Sequence, residues 1–510
     1  MTVLAHAFGQ RYDLPIPLYL FVIGGALVVI VSFILVLPRG TAGGESPNAE
    51  VPDGAHIRGL HPVAGILATV WLGFLCWCGV AGNQEVAENI IATWFWIVVW
   101  VAVPLSAAII GDWTQPVNPF AFLAKVTNSD RARQSILGGP QPLKWPRWLG
   151  WWPAAIAFFV VACLELIFNL WATQPHVTAE LLAIYAGVSA LGGFFFGDEW
   201  LRRGEMFTVL YDTWGRLGFF RFGAPGRRGF AGGLLPGFSK HPSRVTFVLL
   251  MLLNVNYDGL LSTPQWSNDV LRNLPGSYGI AGTQSQHWFL VGAFLAMAIV
   301  LASLLLGFAQ GSATAGEHHT APLRSLSGLL PSLVPIAFGY LLSHYLGYLA
   351  VNGQLLFPLI GNPPGLESWP IHLPYPFNDS YEPNHTFLPN AFYWYVALVV
   401  IVAVHVFAVI IAHRHLVRTA PDERRARRSE FPWLAAMVGY TCLSLWLLAQ
   451  PFTETSSTTS GSSAGAAPPA VLRVASMEPR ITSGNPTAIP AVNVSFSTRT
   501  PSRMATAGLT

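Results

Sequence analysis

One apolar stretch of the chain, from Leu329 to Gln354, is long enough to cross a bilayer and has a histidine near its middle. Tyr340, His344 and Tyr348 recur at every fourth position, so on a helix they form a single stripe. An ionisable side chain at membrane depth is costly, and it usually faces the interior of a helix bundle and marks a site. The alternative is that His344 hydrogen-bonds a neighbouring carbonyl and only locks two helices together.

Three other apolar segments contribute protonatable side chains, namely Glu165, Asp258 and His405. Histidine, aspartate and glutamate are the ligand types for zinc and similar ions, and a bound ion lowers the pKa of its water to near neutrality. We therefore predict that Asp258, His344, His405 and Glu165 hold a divalent metal ion such as zinc. The predicted catalytic residues are Asp258, His344, Tyr257 and Tyr348, and the predicted substrate-binding residues are Tyr340, Asn254, Asn352 and Gln354.

Each of these side chains has an ordinary structural alternative as a satisfied hydrogen bond between helices. No H-E-x-x-H zinc helix and no G-x-S-x-G nucleophile elbow occurs in the sequence. His413 and His415 form an H-x-H pair among arginines, and His318 and His319 lie in a polar segment. We interpret both pairs as solvated surface at the inner side.

The composition is that of a polytopic membrane protein. Of the 510 residues, 52% are hydrophobic and only 10% are charged, with a mean hydropathy of +0.47, whereas soluble domains have about 25% charged residues. The net charge of +3 is small and unevenly distributed, which argues against nucleic-acid binding. The four cysteines lie in apolar segments and indicate no disulfide framework.

Ten apolar windows are long enough to span a bilayer, which predicts an all-α protein with about ten transmembrane helices. They lie near residues 17–37, 62–82, 90–111, 148–171, 178–197, 245–262, 287–309, 328–350, 391–413 and 432–449. The segment 205–222 is apolar on one side only, which predicts an interfacial helix.

The distribution of lysine and arginine predicts that both termini lie outside. In that orientation the inner loops 38–61, 112–147, 198–244, 310–327 and 414–431 hold 22 of the 28 basic residues. The outer loop 351–390 has none and is rich in proline and aromatic residues, so it is a candidate lid. Residues 1–451 form the predicted transmembrane domain. The Ser/Thr/Ala/Gly/Pro-rich tail 452–510 has too few apolar residues to fold and should be disordered.

Several short motifs scattered over residues 1–450 resemble those of bacterial membrane proteins known as fenitrothion hydrolases. They are His6, Gly9, Arg11, Asp13, Leu14, Pro15, Ile16 and Pro17; Arg203 to Phe207; Tyr257 to Gly259 with Thr263, Pro264 and Trp266; Ser343 to Tyr345 with Gly353 and Gln354; His405 with Ala412 and His413; and Met437 to Tyr440. The resemblance implies hydrolysis of an organophosphorus triester with release of a nitrophenol. It transfers no catalytic residue.

The resemblance and the composition together predict a hydrolase of the inner (plasma) membrane with its site on the outer or periplasmic side. The expected partners are the lipid bilayer and a lipophilic small-molecule substrate; a second subunit is left open. His6 and Asp13 are candidates to cover the mouth of the site. A small-solute transporter using the same polar residues is the main alternative, since Pro104, Pro331 and Pro335 can interrupt spans. A membrane assembly or copper-handling protein is a third possibility.

Overall fold

The structure is a computed structural model of the chain, and it describes residues 18–36, 53–55, 57–59, 61–222, 229–261, 263, 266, 270, 280–317, 320–384 and 386–449. This part of the chain is helical and has no β-strand, as the composition predicts. The predictions for His6, Asp13, His318, His319 and the tail 452–510 lie outside the described residues.

Each predicted apolar window coincides with a helix or a helical stretch. The helices are α1 (Leu18–Val36), α2 (Pro62–Ala81), α3 (Ile90–Thr93), α4 (Val103–Ile110), α5 (Pro119–Thr127), α6 (Asp130–Leu137), α7 (Trp152–Leu166), α8 (Asn169–Ala172), α9 (Pro175–Phe196), α10 (Asp198–Arg203), α11 (Met206–Gly215), α12 (Pro242–Leu261), α13 (Ile280–Ala315), α14 (Pro322–Leu329), α15 (Leu333–Asn352), α16 (Leu356–Gly361), α17 (Asn390–Thr419) and α18 (Glu423–Ala449). A π-helical segment, Trp94–Ala102, joins α3 to α4. Short 3-10 turns occupy Val86–Glu88, Gln115–Val117, Gly232–Leu234, Leu330–Ser332 and Gly353–Leu355.

Seven helical stretches in the described residues are long and apolar enough to cross a membrane. They are Pro62–Ala81, Ile90–Ile110, Pro175–Phe196, Pro242–Leu261, Gln286–Ala315, Pro322–Gly361 and Ala391–Thr419. The helices α1 and α7 contain shorter apolar stretches. Proline is the first residue of α2, α9, α12 and α14, where its fixed φ suits a helix start and its missing N–H costs no hydrogen bond.

The helix α12 lies at the centre of the bundle. It packs against α7, α13, α15 and α18, and it is buried over most of its length. The helix α15 packs most extensively against α17, which also contacts α1 and α18. By contrast, α13 keeps most of its apolar surface exposed at the edge of the bundle. Polar groups on α12 and α15 therefore meet inside the protein and away from lipid.

The prediction of an interfacial helix at 205–222 is wrong for α11, which lies inside the bundle. All of its residues except Asp212 are buried, and it packs against α4 and α7. Its N-terminus is capped by Glu205, which is fully buried and accepts hydrogen bonds from Thr208 N at 2.7 Å and from the Tyr185 hydroxyl at 2.6 Å. The polar residues that made this segment look interfacial are thus satisfied within the protein.

A buried ion cluster closes the bundle at the end where α12 begins. The carboxylate of Asp53 lies 2.6 Å from Arg216 Nη2 and 3.0 Å from Arg244 Nε, and it accepts from Ser239 N at 2.8 Å. Burial alone would raise the pKa of Asp53, but the two guanidinium groups and the backbone N–H outweigh it and hold the pKa well below its usual range. Asp53 therefore ties the α1–α2 loop to the helix bundle as an anion.

At the opposite end, the loop 351–390 crosses to the turn between α2 and α3. The carbonyls of Pro364 and Pro363 accept hydrogen bonds from Asn83 N at 2.8 Å and from Ile90 N at 2.9 Å. Gln354 anchors the loop to the end of α15, because its Oε1 accepts from Asn384 N at 2.9 Å and its Nε2 donates to Ala350 O at 2.7 Å. The loop is therefore fixed at both sides of the bundle end, and its role as a lid stays a prediction.

Candidate functional site

A hydrogen-bonded pair of a histidine and an aspartate connects α15 to α12. His344 Nε2 lies 2.5 Å from Asp258 Oδ2, with 3% of the Asp258 side chain exposed and 13% of the His344 side chain. An ionised carboxylate only accepts, so Nε2 carries the hydrogen in that state and the neutral ring has its lone pair on Nδ1. We refer to this pair as the dyad; its histidine is the more accessible member.

A second carboxylate lies next to the dyad. Glu165, on α7, accepts from the Tyr345 hydroxyl at 2.5 Å through Oε1 and from Asn254 Nδ2 at 3.2 Å through Oε2. The indole of Trp100 also faces Glu165, and Glu165 is close enough to interact with the charge of Asp258. Each carboxylate oxygen of Glu165 therefore has a protein donor, and the two acids share one polar region.

The local helical geometry explains which residues reach this region. Asn254 and Asp258 are four residues apart on α12, so both face the same side, towards α7 and α15. His344 and Tyr345 are adjacent on α15, so their side chains diverge by about 100° and contact α12 and α7 respectively. Their rings still meet edge-on, with centroids 4.8 Å apart.

Two residues of this region were not predicted from the sequence. Tyr345 lies outside the Tyr340, His344 and Tyr348 stripe, although an aromatic hydroxyl beside a histidine is a usable signal. Trp100 belongs to the π-helical segment, a local widening of the helix that is often found at functional sites. Its tryptophan-rich sequence has the composition of a membrane-interface anchor, so its position beside Glu165 was not visible beforehand.

Tyr257, a predicted catalytic residue, faces away from the dyad. Its hydroxyl donates to Leu290 O at 2.7 Å, and its ring stacks on Phe294 with centroids 4.6 Å apart and planes 2° from parallel. Successive helical residues point about 100° apart, so the neighbour of Asp258 contacts α13 instead. The catalytic role predicted for Tyr257 is therefore not supported.

The predicted substrate-binding residues are divided among several places. Asn254 belongs to the site through Glu165, and the predicted catalytic Tyr348 borders it, with its ring 6.0 Å from that of Tyr345. Gln354 is occupied in anchoring the outer loop, and Asn352 is the partly exposed last residue of α15. Tyr340 contacts His405 and Tyr440 instead.

The four predicted metal ligands do not form one group. His405 lies at the α15–α17 contact, where its ring is edge-on to Tyr340 at 6.2 Å and its Nδ1 lies 2.7 Å from Ile401 O. Asp258 and His344 are bonded to each other, and Glu165 is engaged by protein donors. Among the described residues, no three His, Cys, Asp or Glu side chains are placed to hold an ion. The divalent metal stays a prediction, and proton transfer to the His344–Asp258 pair does not require it.

His413 corrects the interpretation of the H-x-H pair as solvated surface. Its side chain is buried, and its Nδ1 lies 2.9 Å from Glu430 Oε1, which joins α17 to α18. His415 is only partly buried. The sequence does not predict this pair, because Glu430 lies 17 residues after His413, on the next helix.

The dyad can accept one proton from a water molecule, because its carboxylate orients the imidazole and stabilises the imidazolium that forms. Glu165 lies next to the dyad, so the two carboxyl groups and the imidazole share one polar region. The arrangement thus provides a protonatable unit inside an apolar bundle.

No protein-family model matches the chain, and no curated protein or solved structure is significantly similar to it.

Proposed function

We propose that this chain is a membrane-embedded hydrolase of lipophilic organophosphorus triesters such as fenitrothion, with the His344–Asp258 dyad as the base that activates water. The observation that carries the proposal is the 2.5 Å contact between His344 Nε2 and Asp258 Oδ2 inside the bundle. The substrate class rests on the sequence resemblance to fenitrothion hydrolases.

The proposed reaction is a direct displacement at phosphorus. The dyad takes a proton from water while the water oxygen forms a bond to phosphorus and the bond from phosphorus to the aryl oxygen breaks. A nitrophenolate is a stable anion, so its departure needs little help from an acid. The proton held by the dyad then passes to solvent, and a phosphorus diester and the nitrophenolate are released. General base catalysis of this kind contributes typically about 10²- to 10⁴-fold.

The proposed setting is the plasma (inner) membrane, with ten spans and both termini outside. The positive-inside distribution of Lys and Arg supports this orientation, because the basic loops then share one side. In the proposed orientation the dyad lies about 12 Å below the outer end of α15, because His344 is eight residues from that end. A neutral triester dissolves in the bilayer, so it reaches such a depth without crossing bulk water.

A proton-coupled carrier is the second candidate, and a specific observation favours it. The described bundle has two separate histidine–carboxylate pairs, His344 with Asp258 at one end and His413 with Glu430 nearer the other. A carrier needs groups that bind and release protons from opposite sides of the membrane. A hydrolase needs only the first pair.

The test uses the purified full-length protein in detergent micelles with a chromogenic nitrophenyl triester. Turnover in micelles excludes transport as its cause. We expect wild-type turnover, an at least 100-fold loss in kcat/KM for His344→Ala, and unchanged kcat/KM for His372→Ala, an exposed histidine of the outer loop. Full activity of His344→Ala would refute the dyad as the base. Absence of turnover by wild-type protein, together with proton-driven solute uptake in vesicles, would favour the carrier. Loss of activity with a chelator would support the prediction of a divalent metal ion.

A further inference from the structure

Four polar side chains from four helices meet in the interior of the bundle. They are Asn256 of α12, Tyr340 of α15, His405 of α17 and Tyr440 of α18, all at least nine-tenths buried. The ring of Tyr340 is edge-on to His405 at 6.2 Å and to Tyr440 at 6.0 Å, and Asn256 Nδ2 donates to the Tyr440 hydroxyl. We call these four residues the polar junction. It lies one helical turn from the dyad, because Tyr340 and His344 are four residues apart on α15.

Three atoms of the polar junction have no hydrogen-bond partner among the described residues. They are Asn256 Oδ1, the Tyr340 hydroxyl and His405 Nε2. Buried polar atoms are almost always paired, with protein or with ordered water. Leaving three buried atoms of neighbouring side chains unpaired would cost an amount comparable to the net stability of a whole domain. Their grouping therefore indicates a shared partner.

The hydrogen-bond roles of these atoms define what that partner must be. His405 Nδ1 lies 2.7 Å from the Ile401 carbonyl, which only accepts, so Nδ1 carries the hydrogen and Nε2 of the neutral ring has a lone pair. Asn256 uses its amide nitrogen for Leu252 O, at 2.7 Å, and for Tyr440, so its free group is the acceptor Oδ1. The partner must donate to both acceptors and accept from the Tyr340 hydroxyl.

We propose that the polar junction is a binding site for a single water molecule that bridges α12, α15 and α17. Water has two hydrogens for Asn256 Oδ1 and His405 Nε2 and a lone pair for the Tyr340 hydroxyl, so it satisfies all three atoms at once. An ion matches less well, since the junction contains no opposite charge to compensate it. This site is separate from the dyad and does not depend on the proposed hydrolysis.

The competing arrangement is a direct hydrogen bond from the Tyr340 hydroxyl to His405 Nε2 after a small rotation of the tyrosine. That bond would satisfy two of the three atoms and leave Asn256 Oδ1 without a donor. The two arrangements therefore differ in whether Asn256 Oδ1 has a donor. In both of them the Tyr340 hydroxyl has a partner, so removing this hydroxyl is destabilising. In a junction with neither the water nor the direct bond, removing it is stabilising.

The test combines a high-resolution cryo-electron microscopy structure of the full chain in lipid nanodiscs with thermal unfolding. We expect one density peak within about 3.2 Å of all three atoms. Tyr340→Phe should lower the unfolding temperature, and so should Tyr440→Phe, which loses its bond to Asn256. Absence of the peak, with Tyr340 bonded to His405, would overturn the proposal. So would a raised unfolding temperature in Tyr340→Phe, since removing an unpaired buried hydroxyl is stabilising.

A double-variant cycle gives an independent check of the shared water. Asn256 and Tyr340 make no direct hydrogen bond, so independent sites would give additive losses in unfolding temperature. A shared water predicts that Asn256→Ala combined with Tyr340→Phe loses clearly less than the sum of the two single variants. Asn256→Ala combined with Ser343→Ala, which removes only the bond to Ala397 O, is the additive control. Additive losses in the first pair would overturn the proposal.

Discussion

Asp258 Oδ2 lies 2.5 Å from His344 Nε2 although the two residues are 86 positions apart in the sequence. The proposed function requires the charge of Asp258, whereas a purely structural pair requires only its hydrogen-bond acceptor. Asn has the same shape as Asp and keeps an acceptor oxygen, but it cannot stabilise an imidazolium.

The first prediction is therefore that Asp258→Asn lowers kcat/KM strongly but changes the unfolding temperature only slightly. We expect kcat/KM for a nitrophenyl triester to fall about 10²- to 10³-fold and the unfolding temperature in detergent to change by a few degrees. Asp379→Asn, an exposed acid of the outer loop, is the matched control and should change neither quantity. Equal activity of Asp258→Asn and wild type would show that the pair is structural.

The second prediction concerns the hydroxyl that Tyr345 donates to Glu165 at 2.5 Å. Tyr345→Phe removes that donor and leaves a carboxylate oxygen less well satisfied, at a cost of about 1–3 kcal/mol in the free energy of unfolding. Tyr395→Phe, at an exposed tyrosine of α17 away from the site, is the control. Kinetics at varied triester concentration separate the roles: a positioning role lowers kcat, while a purely structural role lowers only the unfolding temperature. Identical behaviour of the two variants would dismiss Tyr345.

The sequence was sufficient to predict the helical fold and the convergence at the dyad. Apolar windows indicate helices because a span needs about 20 apolar residues, and the cost of a buried charge predicts that Asp258 and His344 face the bundle interior. Together these two rules predict that Asp258 and His344 each lie on the buried side of their helix. Glu165 and Asn254 follow from the same reasoning.

What the sequence could not supply is the rotation of each helix about its own axis. Tyr257 differs from Asp258 by one position, and that step of about 100° directs it to α13. His405 is grouped with the dyad in the sequence analysis because of its residue type, whereas the packing of α17 on α15 puts it beside Tyr340. The sequence does not predict the burial of α11, because Glu205 looks solvent-exposed until its distant partners Tyr185 and Asn118 are known.

The third prediction concerns the ion cluster around Asp53. Asp53→Asn leaves the buried guanidinium groups of Arg216 and Arg244 without their shared anion, which should cost about 3–5 kcal/mol in stability at pH 7. Because the folded-state pKa of Asp53 lies below its usual value, the stabilisation is complete above about pH 4 and is lost as the pH falls further. Asp422→Asn, at an exposed ion pair with Arg425, is the control.

Thermal unfolding of both variants between pH 3 and pH 8 checks this prediction. The gap between wild type and Asp53→Asn should be widest at neutral pH and should narrow towards pH 3. A constant gap over the whole range would mean that the Asp53 charge does not stabilise the fold. Asp422→Asn should follow the wild-type curve throughout.

The fourth prediction has the opposite dependence on pH. Burial, with the nearby charge of Asp212, raises the pKa of Asp112 to about 6. A carboxyl whose folded-state pKa is above its usual value of about 3.9 is stabilising when protonated, so stability falls as the pH rises from about 4 to 6 and stays lower above that. Asn mimics the protonated acid and keeps an acceptor for Thr114. Asp112→Asn should therefore be more stable than wild type at pH 8, by up to about 3 kcal/mol, and equal to it near pH 4.

The measurement is the unfolding temperature of wild type and Asp112→Asn between pH 4 and pH 8. A variant that is less stable than wild type at pH 8 would show instead that the attraction of Arg58 for the ionised Asp112 outweighs its burial.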